Sequence, residues 1–410
     1  MEPVRRPSLR RDLQAVRATV EGRSCIAFHD PLQLAGGSFA LDQRALVLLE
    51  LLDGTNDLRD VQAALMRRQG GVIVPMEDLE RFVLELDRNY LLDSDRFREK
   101  MEALREEYRR REDREPSHAG RSYTGDGEAL ARWIGETERG LPPVSPGGSP
   151  EGAVAGVVAP HIDIQVAAAV YVDLYRRLRN GAWDVVLVLG IDHRGQEGLY
   201  SVSTKHYRTP LGTLKAHREF ISRLAASVPP GTLAPDDFGH RMEHSIEFQA
   251  LFLRYYLGGE TPVIPVLCGG IHEFLVRGTD LTADPRFEGM AAAVEGILRE
   301  RGERALVVAG ADLAHVGMKF GHGRPASLLL EEARRNDREI LAALERADTA
   351  AVFGNARRTG DRFNTCGLPA LLLLSRLLRG CRGTLLAHET YDERATESAV
   401  TYGSMVFTTP

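Results

Sequence analysis

Four short runs constrain the fold of this chain more than anything else in it. "AVAGVVAP" (153–160), "DVVLVLG" (184–190), "TPVIPVLC" (261–268) and "RALVVAG" (304–310) are β-branched and almost wholly apolar. A strand with one wet face alternates apolar and polar residues, and these runs do not. Helical patterns separate them: "VAAAVYVDLYRRLRN" (166–180), "EHSIEFQALFLRYYLG" (243–258) and "PRFEGMAAAVEGILRERG" (285–302). Buried-type strands alternating with helices predict an α/β domain, with a mixed central sheet and helices on both faces. The closing "GTLLAHETYD" and "SAVTYGSMVFTTP" read as two further strands in a hairpin-like, antiparallel pair. The domain is expected over 118–410.

The N-terminal part has a different pattern. "LDQRALVLLELLDG" (41–54) predicts a helix that stops at the Asp53–Gly54 turn. Asn56 is the expected cap of a second helix, "DLRDVQAALMRRQG", ending at Gly70–Gly71. "VIVP" (72–75) reads as a short strand, "MEDLERFVLELDRN" as a third helix and "YLLDS" (90–94) as another strand. This order predicts a small winged-helix-like α+β domain over 1–95, with its core at 40–95. A DNA-reading role is disfavoured, because the second helix carries Asp57 and Asp60 beside Arg59, Arg67 and Arg68. Residues 96–117 are highly charged and read as a solvated linker helix. "GLPPVSPGGSPEG" (140–152) reads as an exposed loop.

The bulk composition excludes several classes. A formal net charge of −6 over 410 residues gives no support for nucleic-acid binding. The start, "MEPVRRPSLRRDLQ", has no apolar core of a secretory signal, and no apolar run is long enough to span a membrane. The four cysteines are scattered without a CxxC pair, which points to a reducing cytoplasm rather than to disulfides. No GxSxG, GxxxxGK[ST] or HExxH motif occurs.

Candidate chemistry gathers where the strands end. Ligands of open α/β sheets sit beyond the carboxyl ends of strands. "GVVAPH" runs into His161, "VVLVLGIDH" into Asp192 and His193, and "LVVAGADLAH" into Asp312 and His315. Cys366 opens the apolar helix "GLPALLLLSRLL". Imidazole and thiolate together suit a transition metal. "EHSIE" places His244 and Glu247 on one helical face, and "DLAH" would do the same for Asp312 and His315 if that loop begins a turn of helix. A carboxylate beside an imidazole fixes its tautomer and raises its basicity. Asp163 and Asp192 could also face the site, but their spacing alone does not settle this. Against this stand blander readings. Each histidine could be a hydrogen-bonded structural residue, the His244–Glu247 pair a buried tie to the sheet, and Cys366 a packed thiol or a His-paired nucleophile.

Seven ordered blocks, "APH", "LGIDHRG", "YRTPLGTL", "EHSIEFQALFL", "VIPVLCG", "GADLAHVG" and "NTCGLPALLLL", together resemble the Memo family, which includes AmmeMemoRadiSam system protein B. The resemblance spans about 118–410. It implies a fold related to the class III extradiol dioxygenases. It also implies metal ligation by His161, His193 and Cys366, with Fe(II) first and Cu or Zn as alternatives. Cys366 then stands where those dioxygenases carry a carboxylate. His315 matches the acid/base position, Asp312 accompanies it, and His244 lines the same cleft. Asp192, Glu247 and Asp163 would support these groups. The implied activity is that of an oxygen-dependent oxidoreductase on a small-molecule substrate. Its alternatives are a non-catalytic metal-binding or docking protein, and a zinc-dependent hydrolase. A radical SAM protein and an AMMECR1-like protein are the partners that the family name implies. This chain departs from the family at Asp163, Arg194 and "GAD" (310–312), where an aromatic, a second histidine and "SSD" are common. Residues 40–95 resemble the PqqD-like winged helix, which implies a peptide ligand.

Overall fold

The computed structural model describes residues 4–20, 23–34, 39–42, 45–68, 70–144, 153–195 and 197–410. Most of the loop expected at 140–152 lies outside these residues. The chain forms two compact units, 1–110 and 111–410.

In the first unit a three-stranded antiparallel sheet, Gln14–Val20, Arg23–His29 and Phe39–Asp42, precedes four helices: Leu46–Leu49, Leu58–Arg68, Met76–Arg88 and Asp95–Arg110. The helix expected across 41–54 is therefore one turn long. Phe39–Asp42 pairs instead with Cys25–Phe28, a non-local ladder that outweighs local helical spacing. Asp57, not Asn56, caps the next helix: its Oδ1 accepts from the amides of Arg59 and Asp60 at 2.8 and 2.9 Å. Asn56 turns back to donate to the Leu51 carbonyl at 3.0 Å. Among the described residues, 72–75 join no strand ladder, and Leu92 makes only an isolated bridge to Leu9. The sheet of this unit thus comes from residues before the helices, not from a wing between them. Leu52, Val61, Leu65, Leu79, Val83 and Leu92 form its core.

The unit boundary falls at Arg110, so 111–117 belong to the second unit rather than to a linker. Asp113–Arg114 pairs with His206–Thr209, and the Arg114 side chain is fully buried. A charged residue reads as solvated in sequence unless its partner is known, and here the partner is the distant Glu247.

The second unit is built on an eight-stranded mixed sheet. Its strands are β1 (Val154–Ala159), β2 (Val185–Ile191), β3 (Tyr200–Val202), β4 (Val263–Cys268), β5 (Ala305–Gly310), β6 (His315–Gly317), β7 (Arg382–Glu393) and β8 (Ser398–Thr408). The spatial order β1-β5-β2-β4 is parallel throughout. β3 lies antiparallel on β4. One edge of β8 pairs with β7 along its whole length, while the other is shared by β6 and β1, all antiparallel. Every residue of β2 is buried. Val185, Leu187, Leu189 and Ile191 enter one core, and Val186 and Val188 enter the other. This period of two feeds two layers of helices.

On one face pack α1 (Gly127–Gly140), α2 (Ala168–Arg176) and α4 (His244–Leu257). On the other pack α3 (Arg218–Ser227), α5 (Pro285–Arg301), α6 (Leu330–Leu344), α7 (Thr349–Thr359) and α8 (Leu368–Leu377). The α/β reading with helices on both faces holds. Because β1, β5 and β2 are parallel neighbours, their carboxyl ends lie side by side on one edge. Those ends are followed by His161, by Asp312 and His315, and by His193. No helix among the described residues is long and apolar enough to cross a membrane.

Candidate metal centre

His161 follows β1 after one proline and is buried. Its Nδ1 lies 2.9 Å from the carbonyl oxygen of Gly310 on neighbouring β5. A carbonyl only accepts, so Nδ1 carries the proton and Nε2 keeps its lone pair. That Nε2 is 3.2 Å from Cys366 Sγ. Burial pushes the His161 pKa down to about 4 against the partial opposition of Asp312, so the ring is neutral near pH 7.

His193 is anchored the same way. Its Nδ1 lies 3.0 and 3.1 Å from the two carboxylate oxygens of Glu243. Burial opposes the imidazolium most strongly, yet the charge and hydrogen bond of Glu243, with the charges of Asp312 and Asp192, together raise the pKa. Glu243 caps α4: its Oε1 accepts from the amides of His244 and Ser245 at 2.8 and 3.0 Å. The same oxygen is 3.1 Å from His244 Nδ1. Burial penalises this carboxylate, but the histidines around it hold its pKa well below the ordinary value. The His193 and His244 rings stack at 4.9 Å, and the His161 ring stands edge-on to both at 5.1 and 5.3 Å.

The expected helical turn in "DLAH" does not form. Residues 311–314 follow β5 without regular structure, and His315 opens β6. A strand ladder to β8 takes the backbone there instead. Even so, Asp312 and His315 meet at the site. Asp312 Oδ1 accepts from the His161 amide at 2.9 Å, and Oδ2 is 3.7 Å from His161 Nε2. His315 Nδ1 is satisfied by the Leu313 carbonyl at 3.1 Å, which leaves Nε2 as the acceptor. Burial lowers the His315 pKa, with Asp312 opposing.

Cys366 sits in the loop before α8, a helix that packs on β5 and β2. Burial pushes its thiol pKa well above the ordinary value, so the thiolate requires a positive partner. Gly367 brings this loop against Asp312, where a Cβ would stand 2.3 Å from the Asp312 carbonyl oxygen. Three sets of donor atoms each converge within 4.8 Å: His161–His193–Cys366, Asp312–His315–Cys366 and His193–Glu243–His244.

The other sequence candidates stand apart. Glu247 does not orient His244. It accepts from Arg114, Tyr123, the Ser117 amide and hydroxyl at 3.0 and 2.8 Å, and the His118 amide at 2.9 Å. Asp192 Oδ1 accepts from the Arg194 amide at 3.1 Å, closing the turn after β2. Asp163 Oδ1 does the same for the Gln165 amide at 2.9 Å. Neither belongs to the converging donor sets.

Two residues at the site escaped the sequence reading. Glu243 had a signal, a carboxylate immediately before an apolar helix, but its contact with His193 spans 50 positions. His118 had none; its ring lies 5.6 Å from both His244 and Phe248.

Comparison with known proteins identifies the family of the chain. Residues 114–406 match the family model described as "Memo-like protein". A MEMO1 family protein of Aquifex aeolicus is 32% identical over 372 residues, covering 90% of this chain and 92% of the relative. That stretch is longer than the second unit, so it reaches into the first. A MEMO1 family protein of Thermus thermophilus is 29% identical, covering 85% of this chain and 98% of its own length. One from Aeropyrum pernix is 32% identical over 58% of this chain and 79% of its own. The chain belongs to the Memo-like protein family.

Proposed function

We propose that this chain is a metalloprotein in which His161, His193 and Cys366 hold a transition metal, Fe(II) first and copper next, for an oxygen-dependent redox reaction on a small molecule. The carrying observation is the 3.2 Å approach of Cys366 Sγ to a His161 Nε2 whose Nδ1 is already bonded. His193 and His315 are pinned by their Nδ1 atoms in the same way. Rings held so present lone pairs, and a half-buried thiol beside them gains a reason to ionise when a cation binds. The donor set therefore fits a transition metal: two imidazoles and one sulfur.

Such a metal, when bound, supplies open coordination positions and one-electron chemistry. The chain's own residues do the rest. Glu243 keeps His193 oriented and raises its basicity. Asp312 fixes the His161 backbone and places a negative charge beside the donors. His315 Nε2 is the acceptor available to take a proton from a substrate and return it.

Metal content after anaerobic purification tests this reading, with Cys366→Ser and His193→Ala beside the parent protein. The parent should hold close to one equivalent of iron or copper and consume O₂ with a reductant, and both variants should lose the metal. Equal metal in all three proteins would remove the proposed site. Zinc in place of iron or copper would redirect the chemistry to hydrolysis.

A further inference from the structure

The loop that carries Cys366 is tied to the strand that carries His315 at three points. The His315 amide donates to the Phe363 carbonyl at 2.8 Å, and the Gly367 amide donates to the Asp312 carbonyl at 3.1 Å. Between them lies Asn364. Its Nδ2 donates to the His315 carbonyl at 3.3 Å and to the Phe320 carbonyl at 3.1 Å. Phe320 in turn stands edge-on to the His315 imidazole, with centroids 5.0 Å apart.

The backbone explains why this position suits asparagine. Asn364 has φ +49° and Asp361 φ +47°, in the left-handed region. Asparagine enters that region more readily than most residues. Few other side chains combine this conformation with a two-proton donor. The turn is closed from within, since the Thr365 amide donates to Asp361 Oδ1 at 3.0 Å and the Asn364 amide to the Asp361 carbonyl at 2.9 Å. The Asn364 side-chain amide is thus left to reach across to two carbonyls on the neighbouring segment.

We infer that Asn364 is a positioning residue that couples the Cys366 thiol to His315, by clamping both the His315 carbonyl and the Phe320 segment that packs on its ring. The inference rests on the reading of Cys366 as a metal ligand, but it has a consequence that needs no metal. With the clamp removed, only the two backbone ties remain, and the thiol loop loosens against the His315 strand. Cys366 then becomes more reactive, and any metal held there binds less tightly.

The experiment uses the full chain with Asn364→Gly and Asn364→Asp. The glycine variant keeps the positive φ without strain and loses the donor. The aspartate variant keeps the shape and sets a carboxylate oxygen against two carbonyls. In metal-free protein, the rate of Cys366 alkylation by iodoacetamide is followed by peptide mass spectrometry. It should rise severalfold in both variants, more in the aspartate one, while thermal melting shows that each is folded. In parallel, Co(II) is titrated anaerobically and the sulfur-to-cobalt charge-transfer band recorded. Affinity should fall 10- to 100-fold, the usual loss for a group that orients a ligand, and the band should shift. Alkylation rates and cobalt affinities within twofold of the parent protein would overturn the inference. If Cys366→Ser binds cobalt as well as the parent while the alkylation rates still rise, the metal reading fails and the clamp stands.

Discussion

Glu243 faces His193 with both carboxylate oxygens, at 3.0 and 3.1 Å, while one of those oxygens also caps the helix that begins at His244. One side chain thereby fixes a strand-end histidine and a helix-start histidine in a single arrangement. Glu243→Gln removes the charge and one acceptor. Metal affinity should fall about 10- to 100-fold, and loss of the cap should cost about 1 kcal/mol. A Co(II) titration and a thermal melt measure the two effects separately. Unchanged affinity would mean that Glu243 acts only as a cap.

The buried Arg114–Glu247 pair is a structural tie. Both side chains are buried, and Arg114 also donates to the carbonyls of His240 and Glu243 at 2.9 and 2.7 Å. Arg114→Met should destabilise the second unit by roughly 3–5 kcal/mol, because it strands a buried carboxylate. Arg114→Met with Glu247→Leu should recover part of that. The only two tryptophans, Trp133 and Trp183, both lie in the second unit. Urea unfolding followed by their fluorescence therefore reads this unit alone.

Stability should fall on mild acidification. Burial pushes His240 down to about 4 from an ordinary 6.5. Its Nε2 lies 3.1 Å from the Ser201 carbonyl and its Nδ1 2.7 Å from the Tyr207 hydroxyl, so the folded ring is held neutral. Between pH 6.5 and 4 the unfolded chain then binds a proton that the folded one refuses. Stability against unfolding therefore rises with pH across that window and is lost as pH falls through it. The loss is on the order of 3 kcal/mol for a shift of this size. Metal-free protein adds His161, whose pKa is lowered to the same degree. Urea midpoints at pH 7, 5.5 and 4.5 test this; a flat profile would count against the neutral buried rings. The low Glu243 and Glu247 values act later, below the ordinary carboxylate range.

Gly367→Ala tests close approach without any conformational argument, since Gly367 has φ −69°. The new methyl would have to displace the Asp312 carbonyl or the Cys366 loop. A cost of about 1–3 kcal/mol is expected, together with weaker metal binding. A melt unchanged within a degree would show that the loop adjusts freely.

The parallel strands and their order of appearance were legible because each is an uninterrupted apolar run, and the residues beyond their ends follow from topology. The candidates His161, His193, Asp312 and His315 follow from that rule, whereas Cys366, which lies between two helices, was marked by its thiol at a helix start and by the family resemblance. What sequence hid is non-local. Phe39–Asp42 becomes a strand only because Arg23–His29 offers an edge. The spacing of Asp312 and His315 suits a helix, but pairing with β8 draws the segment straight. Glu247 has the right spacing for His244, yet Arg114, 133 positions away, claims it.

The position of β8 has a consequence for when the site can exist. Residues 398–408 are the inner neighbour of β1, not an added edge. The first donor, His161, is therefore synthesised long before the strand that covers its own strand's flank. Cys366 is also made late. A nascent chain would pass half of its synthesis with the His161 imidazole present and the Cys366 thiol not yet made. The donor atoms are thus brought together only when non-local pairing is complete, which is the slow class of folding event.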